Sequence, residues 1–435
     1  MYGGFYPNAA TEIRRGLLAL QHRGQESAGI SISNGDLITL KGSGLVREAL
    51  KMQEVKKMKG NLGIGHVRYS TSGGSNRINA QPIELTYMNS KVAVAHNGNL
   101  ENSQKLRDQL ERTGYILLTN SDTEIFLHKL VKHFKSPPIS WDPYDMARTI
   151  FKLRGAYSIL FLLEDKVIAI RDPHGYRPLW VRKNGKTVLF SSEDSAFPPG
   201  GERFEMEPGS MAIATESSFE YKKMTDERFY QCIFEYIYFA RPDSTIFGKN
   251  VHEIRKKMGM RCAIENPVDA DIVIPVMDSG FSAAVGFSLQ SKIPLEPALV
   301  RNSWIGRTFI EPSDRSRAVE EKLSVVGDSV RGKRIVLMDD SIVRGTTSKR
   351  IVELVKKAQP REIHLRIASP PVTHECFWGI DIATRDQLIA REGVEYVKEY
   401  LGVDSLGYLS IGGMCEILGG CNTYCLHCFT GRREG

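Results

Sequence analysis

The stretch Ile335-Val336-Leu337-Met338-Asp339-Asp340-Ser341-Ile342-Val343-Arg344-Gly345-Thr346-Thr347-Ser348 sets an apolar run, an acidic doublet and a hydroxyl-rich loop in direct succession. Behind it, Ile351, Leu354, Val355 and Ala358 fall at i, i+3, i+4 and i+7, the spacing of one buried helical stripe. The loop therefore joins the carboxyl end of a strand to the start of a helix, where open α/β sheets place their ligands. Free N–H groups in the first helical turn, a permissive Gly345 and the hydroxyls of Thr346, Thr347 and Ser348 suit a phosphomonoester. Asp339 and Asp340 can hold sugar hydroxyls or a magnesium ion. The alternative is an acidic strand end followed by an ordinary helix cap, which would be the better reading of Asp-Asp alone; the whole string weighs against it.

Upstream, Ala270 to Val276 reads as a buried strand running into Met277-Asp278-Ser279-Gly280, whose glycine and short polar residues suit a tight turn with inward-facing amides. Between the two loops lies Arg301-Asn302-Ser303-Trp304-Ile305-Gly306-Arg307-Thr308-Phe309-Ile310, followed by a polar stretch from Glu311 to Lys322. Stretches of that kind are commonly just solvated loops.

With 435 residues the chain has the length for two domains, and 41% hydrophobic with 25% charged residues is the composition of an ordinary globular protein. No run approaches a membrane span, and the start, Met1-Tyr2-Gly3-Gly4-Phe5-Tyr6-Pro7, lacks the basic segment and apolar core of a secretion signal, so a cytoplasmic address is expected. The 58 basic and 51 acidic residues leave a dispersed +7. That surplus fits a small polyanionic substrate, and no basic run with interleaved aromatics argues for nucleic acid.

The rhythm changes near Arg228. Before it, Asn34-Gly35 separates Ile30-Ser31-Ile32 from Leu37-Ile38-Thr39-Leu40, and Asn184-Gly185 separates Trp180-Val181 from Val188-Leu189-Phe190. Asn-Gly is a strong hairpin signal because both residues tolerate positive φ, so stacked antiparallel sheets are expected, with helices at Thr11 to Leu20 and Thr123 to Phe134. Beyond Arg228, strands and helices alternate as in a parallel sheet.

The Ile335 to Ser348 string resembles the phosphoribosyl diphosphate (PRPP) signature of type I phosphoribosyltransferases, in the version of the glutamine PRPP amidotransferases, and the resemblance extends over nearly the whole chain. It implies that Asp339 and Asp340 engage ribose hydroxyls and Mg²⁺, that Arg344, Gly345, Thr346 and Thr347 bind the 5′-phosphate, and that Asp278 and Ser279 belong to a pyrophosphate loop with Ser279 a third metal-associated position. It makes 301 to 322 a lid that excludes water from an oxocarbenium-like transition state, with Arg301, Arg307 and Lys322 neutralising diphosphate. The chain departs from the pattern at Met277, where the family often has Pro, and at Arg301 and Ser303, where it often has Lys and Arg.

In the first half, Gln21-His22-Arg23-Gly24-Gln25-Glu26-Ser27, Gly65-His66-Val67-Arg68-Tyr69-Ser70, His96-Asn97-Gly98-Asn99 and Ser121-Asp122-Thr123-Glu124 resemble class II, N-terminal-nucleophile glutamine amidotransferases. Any one of these clusters could be turn or salt-bridge residues; four in family order carry the resemblance. By family position Arg68 and Asp122 would grip the α-carboxylate and α-ammonium of glutamine, and Asn97 with the Gly98 N–H would form the oxyanion hole. The family's nucleophile, a cysteine at the mature N-terminus, is absent: no cysteine precedes Cys232. The expectation is that the sequence begins a few residues late, because the remaining glutamine residues are in place; the competing reading is an inactive glutaminase domain.

Seven cysteines, all in the second half, argue by their odd number against a disulfide framework. Cys425-x-x-Cys428 with the distant Cys232 and Cys376 offers four thiolates, a set that suits zinc or an iron-sulfur cluster. The resemblance favours a structural 4Fe-4S cluster on those four residues. Cys421 adds the spacing of the radical S-adenosylmethionine motif, but only seven residues follow Cys428, too few for a barrel; Cys421 is expected to be a spare or alternate ligand, and Cys262 and Cys415 small core residues.

The expected architecture is a four-layer αββα domain at 1–228 and a parallel-sheet phosphoribosyltransferase domain at 229–435. The implied activity is that of a glycosyltransferase, making 5-phosphoribosylamine, pyrophosphate and glutamate from glutamine, PRPP and water at the entry to purine synthesis, with ammonia passing through an internal channel. The family further implies a homotetramer and inhibition by purine nucleotides. The rivals are an ammonia-dependent phosphoribosyltransferase with a vestigial first domain, and a non-catalytic PRPP sensor that controls transcription, which would need a helix-turn-helix or a basic face.

Overall fold

A computed structural model describes residues 1–69, 77–302, 323–380, 382 and 384–433. Among them, the first half forms two antiparallel sheets face to face. The first runs in the order Glu202–Glu205, Trp180–Asn184, Thr187–Ser191, Tyr2–Phe5, Leu62–Arg68, Ser27–Ser33, Leu37–Ser43; the second runs Phe219–Lys223, Ser210–Ala214, Val167–Arg171, Gly155–Leu162, Ser90–Leu100, Ile83–Tyr87. Ile64, Ala93, Leu160, Ala169, Val181 and Phe190 fill the space between the sheets. Helix Ala9–Ala19 covers the outer face of the first sheet through Ile13 and Leu17, and helix Thr123–Phe134 covers the second through Ile125, Phe126 and Leu130. Both Asn-Gly hairpins are present, with Ile32 opposite Ile38 and Val181 opposite Phe190.

In the second half a parallel sheet runs in the order Ile272–Pro275, Arg334–Asp339, Glu362–Ile367, Ser405–Tyr408. Ile335 to Met338 are buried on both faces, as expected of a parallel strand covered by helices on each side. Helices Val251–Glu265 and Phe281–Ser291 cover one face; Thr346–Lys356 and Val394–Leu401 cover the other. Helix Thr346–Lys356 buries Ile351, Val352 and Val355, and ends before Ala358, two residues short of the expected stripe.

The cysteine expectations need one correction. Cys415 and Cys421 are joined in a disulfide, so Cys421 is not a spare ligand and Cys415 is not a free core thiol. Helix Ile411–Leu418 stops at Gly419 and Gly420, both at positive φ (76° and 116°), and this reversal carries Cys421 back to a Cα separation of 5.0 Å from Cys415. Such closure depends on backbone direction after the helix, which an odd cysteine count does not reveal. Cys262 is fully buried in the core, where burial pushes its thiol up to about 12.

Candidate functional site

The sandwich brings the ends of two strands from opposite sheets together. Leu62–Arg68 contributes His66 and Arg68; Ser90–Leu100 contributes His96, Asn97 and Gly98. His66 Nε2 lies 2.9 Å from Asn97 Oδ1, and Asn97 Nδ2 donates to Ser192 Oγ at 2.6 Å. Because Oδ1 only accepts, His66 carries its proton on Nε2. Burial, reinforced by the nearby α-amine, holds this imidazole well below its ordinary pKa, so it is neutral. The second hydrogen on Asn97 Nδ2 remains for a ligand. Ser192 Oγ also accepts from the Met1 α-amine at 2.9 Å, an amine whose pKa burial and then Arg23 push down to about 4.

Gly98 sits at φ 137°, and a Cβ there would lie 1.9 Å from Ala156 O, so only glycine presents its N–H in this place. Asp122 stands just before helix Thr123–Phe134; its Oδ2 accepts from Leu100 N at 2.9 Å, and Oδ1 lies 3.8 Å from His96 Nδ1. Burial lowers the Arg68 pKa while Glu26 and Asp122 oppose the shift, which places Arg68 and Asp122 within one another's field. Around these residues lies a cavity of about 620 Å³, counting the open space at its mouth. Phe239 and Gly379, from the second half, complete its wall, and no thiol is among its described lining residues. The sequence places neither residue at the amide pocket. Gly379 follows Cys376-Phe377-Trp378, a stretch conspicuous only for its cysteine, and no local signal in the chain announces which surface it will meet.

A buried chain of charges runs from this pocket into the second half. His22 and Arg23 meet Glu193 Oε1; Arg23 Nη2 donates to Glu235 Oε2 at 2.6 Å; Arg177 Nη1 reaches Glu235 Oε1 at 3.3 Å, and its Nη2 donates to Trp378 O at 2.8 Å. Glu193 and Glu235 are fully buried. Burial works to raise the Glu193 pKa, but Arg23 and His22 overcome it and hold the carboxylate well below its ordinary range.

The second cluster forms at the carboxyl ends of two adjacent parallel strands. Asp339 ends strand Arg334–Asp339, and Asp340 N donates to Asp339 Oδ1 at 2.9 Å while Ser341 Oγ donates to Asp340 Oδ2 at 2.6 Å. Both carboxylates are buried. Burial and then the Asp340 charge raise the Asp339 carboxyl well above the ordinary carboxylate range. Gly345 takes φ 73° and delivers the chain into helix Thr346–Lys356, whose first two residues, Thr346 and Thr347, are exposed. Arg344 Nε donates to Gln387 Oε1 at 3.0 Å. Met277, Asp278 and Ser279 follow strand Ile272–Pro275 beside this loop, the Met277–Asp278 peptide is cis, and Asp278 forms an ion pair with Arg301. Strand Leu299–Arg301 pairs antiparallel with Leu323–Val325. Ser70, Ser303, Arg307 and Lys322 lie outside the described residues.

Two buried oxygen donors in mutual repulsion, with further hydroxyl and carboxylate oxygens alongside, suit a hard divalent cation, which would reverse the pressure on the Asp339 pKa. Asp339 and Asp340, with Ser279, would hold it.

The four candidate thiols converge. Cys232 and Cys425 are directly paired in a short parallel ladder, and Cys428 follows within the next turn, His427–Thr430. Cys376 Sγ accepts from Trp378 N at 3.3 Å. Burial, and then Cys425, Cys376 and Cys232 in turn, push the Cys428 thiol well above its ordinary value, and burial with Cys376 raises Cys232 to about 11. Among the described residues no three such side chains stand at metal-ligating separation. Cys425 and Cys376 pack with Tyr176, Tyr230, Phe377 and Trp378, Cys232 and Cys428 lie in the adjoining core, and the Arg177 guanidinium is close enough to respond to Cys232 and Cys376. An all-sulfur donor set in a dry aromatic shell beside one cation suits an anionic iron-sulfur cluster. No helix among the described residues is long and apolar enough to cross a membrane.

Residues 66–199 match the family model of a glutamine amidotransferase domain. The amidophosphoribosyltransferase of Pyrococcus horikoshii is 44% identical over 94% of this chain and 90% of its own length. That of Bacillus subtilis is 43% identical over 96% and 90%. The solved structure of B. subtilis glutamine PRPP amidotransferase complexed with ADP and GMP superposes with a TM-score of 0.90 at 42% identity, covering 99% of this chain and 96% of that one.

Proposed function

This chain belongs to the amidophosphoribosyltransferase family, and from that premise we propose that its two pockets divide the reaction between them. It is a glycosyltransferase of purine nucleotide biosynthesis, forming 5-phosphoribosylamine from PRPP and an ammonia equivalent drawn from glutamine. The residues at 1–228 bind glutamine, and those at 229–435 bind PRPP.

In the amide pocket Arg68 takes the α-carboxylate and Asp122 the α-ammonium, a pairing supported by their shared field at the cavity wall. Asn97 Nδ2 and the Gly98 N–H receive the charge that develops on the amide oxygen, a contribution of roughly 3 kcal/mol per donor in such sites. In the second pocket the first turn of helix Thr346–Lys356, with Arg344 and Gly345, receives the 5′-phosphate. Asp339 and Asp340 orient the ribose as positive charge grows at its anomeric carbon. Mg²⁺, when bound, neutralises the departing pyrophosphate. Asp278, Ser279 and Arg301 serve that leaving group, and the family resemblance assigns Arg307 and Lys322 the same role of neutralising diphosphate. Cys232, Cys376, Cys425 and Cys428 hold a structural 4Fe-4S cluster that fastens the end of the chain. Purine nucleotides inhibit the enzyme, and it works as a homotetramer in the cytoplasm.

The observation that carries this reading is what lies between the pockets. The turn Glu235–Phe239 ends at Phe239 on the wall of the amide pocket. Arg255, behind that turn, donates to Tyr236 O at 2.5 Å and Ala240 O at 2.8 Å, and Asp340 is the leading charge that opposes the lowering of its pKa by burial. The turn and Arg255 thus tie the wall of the amide pocket, where ammonia would be freed, to the neighbourhood of Asp340, where it would be consumed.

The test is pyrophosphate release from PRPP with L-glutamine or ammonium chloride as nitrogen source. Release that requires PRPP and one of these donors is expected; no release with either sinks the reading. Arg68→Ala is expected to weaken L-glutamine binding roughly 100-fold, since it strips a carboxylate of its partner in a dry pocket, while the PRPP titration is unaffected. Equal glutamine affinity in the variant would remove Arg68 from its role. Cys428→Ser is expected to purify anaerobically with little of the iron held by the parent and without its broad visible absorbance. Zinc in place of iron in the parent protein would overturn the cluster assignment.

A further inference from the structure

The oxyanion donors come from the first half of the chain, yet the Gly98 backbone that follows the donor N–H is covered by the second half. On one side Gly98 is paired with the strand Gly155–Leu162, where a Cβ on Gly98 would strike Ala156 O. On the other side stands Gly379. A Cβ on Gly379 would lie 2.6 Å from Gly98 C and 2.8 Å from both its Cα and its O, so the two backbones touch with no room for a side chain. Gly379 also has φ 88°, a conformation that glycine adopts freely.

Three contacts tie the Cys376 to Gly379 segment to the first half. Asn99 Nδ2 donates to Phe377 O at 3.0 Å, Arg177 Nη2 donates to Trp378 O at 2.8 Å, and Trp378 stacks on Tyr176 with centroids 4.7 Å apart and planes inclined by 19°. The contacts fall on the two residues that lead into the glycine and fix its height over Gly98. Asn99 is the residue next to Gly98, so one tether acts directly on the peptide that is being held.

We propose that Cys376 to Gly379 form a strap that clamps the backbone at Gly98, next to the N–H it aims, making Gly379 a positioning residue of the amide pocket. The inference rests on the reading of that pocket as the glutamine site. An oxyanion donor contributes only when aimed at the oxygen before charge develops, and a peptide gripped from a single side can tilt. The strap supplies the second side from a distant part of the sequence, so glutamine recognition depends on both halves being assembled.

The experiment is calorimetric titration of L-glutamine and, separately, of Mg²⁺ with PRPP into the full chain and two variants, with hydrogen exchange followed over 96–100. Gly379→Ala, which forces a methyl group into the Gly98 backbone, is expected to weaken glutamine at least about tenfold, and Asn99→Ala, which cuts one tether and adds no bulk, roughly threefold to tenfold. Exchange over 96–100 is expected to quicken in both while PRPP binds as in the parent; a merely structural role would weaken the two ligands alike. If Gly379→Ala loses both ligands it has unfolded, and Asn99→Ala decides by the same criteria. Parent-like glutamine affinity and exchange in a folded variant overturn the strap and leave the pocket reading standing. A parent chain that gives no heat with L-glutamine overturns the pocket reading, and the strap with it.

Discussion

Asp339→Asn is expected to cost most of the PRPP-dependent activity while making the free protein more stable at neutral and alkaline pH. The activity loss follows from the position of Asp339 at the end of its strand, against Asp340 and above the helix start proposed for the 5′-phosphate; losing a preorganised charge there is expected to lower kcat/KM for PRPP by roughly 10²- to 10³-fold. The stability gain follows from the same geometry. Burial and then Asp340 raise the Asp339 carboxyl well above its ordinary value of 3.8, so the folded chain binds this proton more tightly than the unfolded chain. A group raised in this way contributes stability that is fully present below about pH 4 and is lost as pH rises through the folded-state pKa. The asparagine stays neutral throughout, so its contribution does not decline. Thermal melts should separate the two proteins at about pH 8, variant above parent, and bring them together near pH 4. Mg²⁺ with PRPP should raise the Tm of the parent more than that of the variant. A variant that melts below the parent at alkaline pH would show that the pair is already neutralised in the free protein.

Glu235→Ala is expected to be the most destabilising single change in the protein. Glu235 is fully buried and receives Arg23 on both oxygens and Arg177 on Oε1. Replacing it by salt-free apolar packing is not what the alanine does: it leaves two buried guanidiniums without their shared partner, a change that costs about 3–5 kcal/mol. Arg23 retains Glu193, but Arg177 keeps no carboxylate among its described partners, only the Trp378 carbonyl and the face of the Phe239 ring, beside thiols whose burial already disfavours charge. Since Arg23 and Arg177 both line the amide pocket, glutamine binding should fail together with stability. Glu235→Gln keeps the shape and some hydrogen bonds and should fall between. Denaturant unfolding measures the order; an alanine variant as stable as the parent would mean the chain of charges contributes nothing net.

Much of both domains is written in short-range pattern. The Asn-Gly hairpins, helix Thr123–Phe134 and the Ile335 to Ser348 unit each follow from residues a few positions apart, because turn geometry and helical or strand periodicity act over one or two turns of chain. The same locality explains why Asp339, Asp340, Gly345 and Thr346 could be named together. It also explains the disulfide: whether Cys415 meets Cys421 depends on two glycine dihedrals after a helix, and the residue count around them is indifferent to that.

From the sequence alone came the order of the elements, the identity of the acidic doublet and its loop, the candidate grips Arg68 and Asp122, and the set of four cysteines. Only the tertiary structure decided that Ser192 joins Asn97, that Glu235 sits between two arginines from the other half, and that Gly379 lies on Gly98. These contacts join residues far apart in the chain, and they are fixed by how sheets and helices exclude one another's volume and satisfy buried charge, conditions that no local pattern records.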